Sequence, residues 1–182
     1  MKIFFDTEFT GLHKNTTLIS IGLIDEDDNV FYAEFNDYNK DDVNDWINDN
    51  VIKHLKFNEY STHLEVNGRN VSMKGSKSYV ADCLKIWLSS YDKVQLVSDV
   101  CHYDMVLFID LFGTAFDLLK GINAACHDIN QDIAEYYNIS EADAFDKSRE
   151  EMLEQFHIII DGDKHNSLYD AKVIKELYYY LG

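Results

Sequence analysis

Three stretches near the start of the chain, residues 2–9, 16–25 and 29–36, are dense in Ile, Phe, Thr, Val and Leu and read as β-strands. The acid- and Asn-rich turn from Asp25 to Asn29 separates the last two, which predicts a hairpin following a first strand. Residues 41–55 place Val43, Trp46, Ile47 and Val51 on one side of an expected helix, in spite of a local crowd of Asn and Asp. Residues 60–75 read as short strands or loop, with turns near Asn67-Gly68 and Lys74-Gly75. An apolar stripe of Val80, Cys83, Leu84, Trp87 and Leu88 predicts a helix over 78–89. A short buried strand is expected at 94–97, followed directly by a helix over 102–112. Residues 128–154 predict helical pieces broken at Asn138 and around 144–147, and a last helix runs from about 168 to 181 after the loop 161–166. Helices interleaved with strands imply an α/β layer architecture.

Length allows one sizeable core, so a single domain over residues 1–182 is expected. Sixteen basic against thirty-three acidic residues leave a formal charge of −17, the wrong sign for gripping long nucleic acid by counter-ion release. A site that handles a few terminal nucleotides is still compatible, because bound cations can supply positive charge where a phosphate sits. Cys83, Cys101 and Cys126 are odd in number, lack C-x-x-C spacing and lie in or beside apolar segments, which predicts free thiols and a reducing, cytoplasmic setting. The first apolar residues end at Asp6, and no later run approaches a membrane span, so neither a signal peptide nor membrane association is expected.

Three acidic positions stand where acids are costly. Asp6 and Glu8 are two apart on a Phe-rich strand and so project to one face. Two like charges held so close cost on the order of a few kcal/mol at an effective dielectric of about 20. A divalent cation bound by both relieves that conflict, since magnesium and manganese prefer hard oxygen ligands; the plainer alternative is a pair that simply faces solvent. From Asp104, steps of three, four and seven reach Leu107, Phe108 and Leu111, so this acid heads the apolar stripe of its helix. Its plainer role is to stabilise a helix N-terminus; Asp99 is the reserve candidate in that segment. From Asp170, steps of four, seven and eleven reach Ile174, Leu177 and Leu181, again the core side. A capping arrangement, with Ser167 as N-cap and Asp170 reaching back, explains that acid equally well but leaves His165 without a role. His127-Asp128 invites a phosphohydrolase reading that no second histidine–acid group supports.

With those residues in view, the chain resembles the DEDDh group of 3′-to-5′ exonucleases. Asp6-Thr7-Glu8-Phe9-Thr10-Gly11-Leu12 is similar to the group's first motif, Tyr103-Asp104 to its second, and His165 with Asp170 five residues on to its third. Cys101-His102-Tyr103-Asp104 departs from the Asn-x-x-Phe-Asp found in many members, and looks closest to the compact branch related to ribonuclease T and the mycobacterial exoribonuclease-like family. The resemblance implies a ribonuclease-H-like mixed sheet flanked by helices. It further implies two divalent cations, Mg2+ or Mn2+: Asp6 bridging both, Glu8 and Asp170 completing one site and Asp104 the other, partly through water. His165 is then the base for the attacking water, and Gly162 lets its loop close over the substrate. Thr7, Phe9, Thr10, Leu12 and Tyr103 are implied to contact the terminal nucleotide. The implied partner is the 3′ end of a single strand, RNA before DNA, with a homodimer expected from the branch. The alternatives are a DNA-specific exonuclease and a non-catalytic nucleic-acid-binding domain of the same fold.

Overall fold

In the computed structural model, which describes residues 1–57 and 61–182, seven strands form one mixed sheet. They are β1 (Lys2–Phe9), β2 (Leu18–Asp25), β3 (Val30–Phe35), β4 (His63–Asn67), β5 (Asn70–Gly75), β6 (Val94–Ser98) and β7 (Ile122–Asp128), in the order β4-β5-β3-β2-β1-β6-β7. β2 pairs antiparallel with both β1 and β3, β4 pairs antiparallel with β5, and β5 joins β3 in parallel. β6 lies parallel to both β1 and β7. The helices are α1 (Asp45–Asn50), α2 (Lys77–Leu88), α3 (His102–Phe112), α4 (Ile129–Tyr137), α5 (Glu141–Phe145), α6 (Arg149–Phe156) and α7 (Ser167–Leu181). Alternation along β1 divides the core: Ile3 and Phe5 pack with Leu84 of α2 and Phe108 of α3, while Phe4 packs with Ile133 of α4, Met152 of α6 and Ile174 of α7. This is the ribonuclease-H-like α/β arrangement expected above, with helices on both faces of a mixed sheet.

The β2–β3 turn forms as its composition predicts, with the Asp25 carboxylate accepting from the amides of Asp27 and Asn29 at 2.9 and 2.8 Å. The expected helix over 41–55 does not. Val43 and Asn44 are extended, α1 is only six residues long, and 3-10 turns flank it. The Asn side chains cause the break: Asn39 accepts from the Asp41 amide and Asn44 from that of Ile47, so each starts a short turn of its own in place of one continuous helix. Ile47 and Val51 are buried, but Trp46 is 56% exposed.

Within 60–75, residue 60 lies outside the described residues, and residues 63–75 are the β4–β5 hairpin, turning at Gly68 with φ 63°. The second turn expected there, at Lys74-Gly75, is strand instead, paired with Glu34 and Phe35, and Lys74 is buried against Glu34 at 3.0 Å. β7 has no counterpart among the expected strands, because Asn123, Ala124 and Ala125 face solvent and leave no apolar run to read.

Gly22, midway along β2, sets the position of the last helix. A Cβ there would collide with the backbone of Ser167 and Leu168, so α7 approaches the sheet only over a glycine. Gly22→Ala is expected to cost on the order of 1–3 kcal/mol, or more, in a urea titration, as overpacking does where backbone has to move. Ser20 and Ser167, whose hydroxyls meet at 2.9 Å, should lose that contact as well.

Candidate active site

Asp6 and Glu8 lie at the C-terminal end of β1, on the face covered by α7. Asp170 sits in the first turn of α7, and His165 in the loop before it, in the left-handed region at φ 62°. The carboxylates of Glu8 and Asp170 and the His165 imidazole bring their ligand atoms within 4.8 Å of one another, the one such trio among the described residues. Asp6 and Asp104 lie outside that trio. Asp6 lines the same cleft of about 550 Å³, together with Thr7, Glu8, Phe9, His165 and Asp170.

Asp104 reaches the site from the other face of the sheet and is 5% exposed. One oxygen accepts from the Thr7 amide at 3.2 Å and from the Thr7 hydroxyl; the other accepts from the Ser98 hydroxyl at 2.7 Å. Thr7, pointing opposite to Asp6 and Glu8 on the same strand, therefore ties the second acidic segment to the first.

The electrostatics show how crowded these acids are. Burial, then the charges of Asp104, Asp170, Glu8 and Asp99, hold Asp6 well above the usual carboxylate range. Burial with the charges of Asp170 and Asp104 pushes Glu8 up to about 8. Burial raises Asp104 and Asp170 to about 7 each, against the pull of their hydrogen bonds. Among the described residues no lysine or arginine forms an ion pair with any of the four. Four oxygen-donor groups and an imidazole, short of positive charge, fit a pair of hard divalent cations.

The plainer readings of the three acids resolve individually. Asp6 and Glu8 are not on an open surface, since both are half-buried in the wall of the cleft. The cap of α7 is Asn166, not Ser167: its side chain accepts from the amides of Leu168 and Tyr169, while Ser167 is buried. Asp170 is thereby free of the capping role.

The other residues singled out by the motif fall in different places. Phe9 and Tyr103 stack on each other at 5.3 Å and 21°. Thr10 is 2% exposed, and its hydroxyl accepts from the Thr17 amide at 3.0 Å, which shapes the loop after β1. Leu12 is 78% exposed and outside the lining of the cleft. His127 pairs with Asp132 at 2.5 Å, and Asp128 caps α4 and accepts from the amides of Val100 and Cys101, so that dipeptide is occupied structurally.

Several contributors to the site carry no signal in the sequence. Trp46, expected in a core stripe, sets its ring edge against His165 at 5.2 Å and 71°. Burial and the nearby Lys164 keep the His165 imidazole below its ordinary value, and so neutral near pH 7. Lys147, Arg149 and Lys164 line the cleft, a basic rim in an acidic protein. Arg149 is one of two arginines in the chain and forks onto Asp99 at 2.6 and 2.8 Å. Lys164 pairs with Glu150 at 2.8 Å, tying the His165 loop to α6. Ser148-Arg149-Glu150-Glu151 is a readable capping signal, and Ser148 does cap α6 by accepting from the Glu151 amide. Nothing in the spacing, however, points Arg149 at Asp99.

No protein-family model and no curated protein sequence matches the chain. Solved structures do. The nuclease domain of 3′hExo, a DEDDh family member bound to rAMP, is similar over 99% of this chain and 90% of its own, with a TM-score of 0.68 at 14% identity. S. pombe Pop2p in a Mg2+- and Mn2+-bound form is similar over 99% of this chain and 82% of its own, with a TM-score of 0.67 at 15% identity. A 3′-exonuclease in a structure of 3′-end-specific recognition of histone mRNA stem-loop matches over 99% of this chain and 62% of its own, at 17% identity and a TM-score of 0.61. The fold is thus one that DEDDh nuclease domains share.

Proposed function

We propose that this chain is a DEDDh-type, metal-dependent 3′-to-5′ exonuclease, a single domain that releases nucleoside 5′-monophosphates from the free 3′ end of a single strand. The observation that carries this reading is the gathering of Glu8, His165 and Asp170 within ligand distance, with Asp6 beside them and Asp104 held underneath by Thr7 and Ser98. The shared fold supports it, as does the bound Mg2+ and Mn2+ of Pop2p. RNA is favoured over DNA, in line with the rAMP and histone mRNA of the structures it resembles.

Asp6, Glu8, Asp104 and Asp170 are the residues that would hold two divalent cations, Mg2+ or Mn2+. When bound, such a pair neutralises a scissile phosphodiester and makes water acidic enough to attack at neutral pH. The protein's own groups do the rest. Thr7 and Ser98 occupy both oxygens of Asp104, which suits that carboxylate to hold a cation through water. His165, neutral and steadied by Trp46, accepts the proton of the attacking water. Of the three cations in the cleft wall, Arg149 and Lys164 are already paired with Asp99 and Glu150, which leaves Lys147 to meet the phosphates of an incoming strand.

Matched single-stranded RNA and DNA oligomers, with free or 3′-blocked ends, test the reading in Mn2+ or Mg2+ buffer. The expected products are mononucleotides from free ends only, RNA faster than DNA, with activity abolished by EDTA. Internal fragments, or equal degradation of blocked ends, would show a different nuclease chemistry.

A further inference from the structure

Next to the catalytic cleft lies a second cavity of about 360 Å³, and the two share Val100 and Phe145 in their walls. Val100 belongs to the turn between β6 and α3 and has φ 54°, a conformation that a β-branched residue adopts only when its surroundings impose it. Asp128 imposes it, accepting from the Val100 and Cys101 amides at 3.3 and 3.2 Å. The divide between the cavities is therefore fixed on one side. On the other stands Phe145, the last residue of α5 and 57% exposed. Its neighbour Ala144 is fully buried, and Ser140 caps α5 by accepting from the Asp143 amide at 3.1 Å, so the helix is seated while its aromatic ring is left in solvent.

An exposed aromatic ring in the walls of two neighbouring cavities is a stacking platform. The chemistry of the walls sorts what each cavity accepts. The scissile phosphate goes with Asp6, Glu8 and Asp170, the acids that would hold cations, in the walls of the catalytic cleft. The second cavity has His102 and Gln131 to offer hydrogen bonds to an uncharged heterocycle, and Asp128 and Glu141 with no lysine or arginine in its walls, which disfavours a phosphate. We propose that the second cavity is the subsite for the penultimate nucleobase, which stacks on Phe145 while the terminal nucleotide and scissile phosphate occupy the catalytic cleft. The assignment rests on the exonuclease reading. It makes the minimal good substrate two nucleotides long and explains a preference for single strands, since a paired base cannot leave its stack to reach Phe145.

The test compares two short RNA oligomers, one intact and one abasic at the penultimate position, each with wild type, Phe145→Ala and Phe145→Tyr. Wild type is expected to prefer the intact oligomer in kcat/KM by about 5- to 150-fold, the range of one base–aromatic stack. Phe145→Ala should bring that preference close to unity, and Phe145→Tyr should restore it. A preference that survives in Phe145→Ala, or is missing from active wild type, overturns the subsite. Wild type inactive on both oligomers defeats the exonuclease reading itself and the subsite with it. Urea midpoints of the variants show whether the helix still folds.

Discussion

Asp170→Asn is expected to lower turnover on the order of a thousandfold and, at the same time, to make the cation-free protein more stable above neutral pH. The loss of activity follows from removing a charged oxygen donor from the trio with Glu8 and His165, where a bound cation supplies several kcal/mol of transition-state stabilisation. The gain in stability follows from linkage. Folding raises Asp170 from its ordinary 3.8 to about 7, so the stability tied to its proton is fully present below about pH 4 and is lost as pH rises through about 7. A rise of that size corresponds to about 4 kcal/mol. In EDTA, the melting temperature of the wild type should therefore fall steadily from pH 4 to pH 8, more gently in Asp170→Asn. Addition of Mn2+ should flatten the wild-type curve and leave the variant's nearly unchanged. Thermal scans with and without the cation measure both; a wild type whose stability rises over that range would mean these acids are not strained by burial.

His165→Ala is the second large effect, with kcat expected to drop by about 10²–10⁴. Two roles compete for this residue, because a ring within ligand distance of Glu8 and Asp170 could either hold a cation or take the proton of a water held by one. A proton acceptor affects kcat while cation affinity stays close to wild type; a ligand weakens both together. Neutrality near pH 7, enforced by burial and by Lys164, suits either role, since both need the unprotonated ring, and the acceptor is the role proposed above. Added imidazole should then recover part of the lost turnover in His165→Ala, and the acid limb of the wild-type rate profile should flatten in the variant. Equal losses in kcat and in Mn2+ affinity would reassign His165 to the cation.

What the sequence discloses is the part governed by short periodicities. Asp6 and Glu8 share a strand face by alternation, and Asp104 and Asp170 sit on the inward stripes of their helices, so the direction of all four is legible from neighbours along the chain. The strands β1 to β3 and helices α2, α3 and α7 are legible for the same reason. What stays hidden depends on partners distant in sequence. Trp46 reads as core, yet the Asn caps that break residues 41–55 turn it toward His165. Thr7 reads as a substrate contact, while its hydroxyl and amide reach a carboxylate ninety-seven residues away. Asp99, held in reserve on its position, is committed to Arg149 fifty residues on. Lys74-Gly75 reads as a turn because an isolated Lys is rarely internal, and only the buried Glu34 makes it strand.

Cation-linked proton release is the most direct measurement of the central claim, that divalent cations relieve four crowded carboxylates. Mn2+ is titrated into the protein by calorimetry at about pH 6.5 in two buffers of different ionisation enthalpy. Acids raised to about 7 and 8 are partly protonated there, so binding should displace protons and give an apparent enthalpy that changes with the buffer. Asp170→Asn should release fewer protons and bind more weakly. Binding of Mn2+ without proton release, or no binding at millimolar Mn2+, would contradict the account.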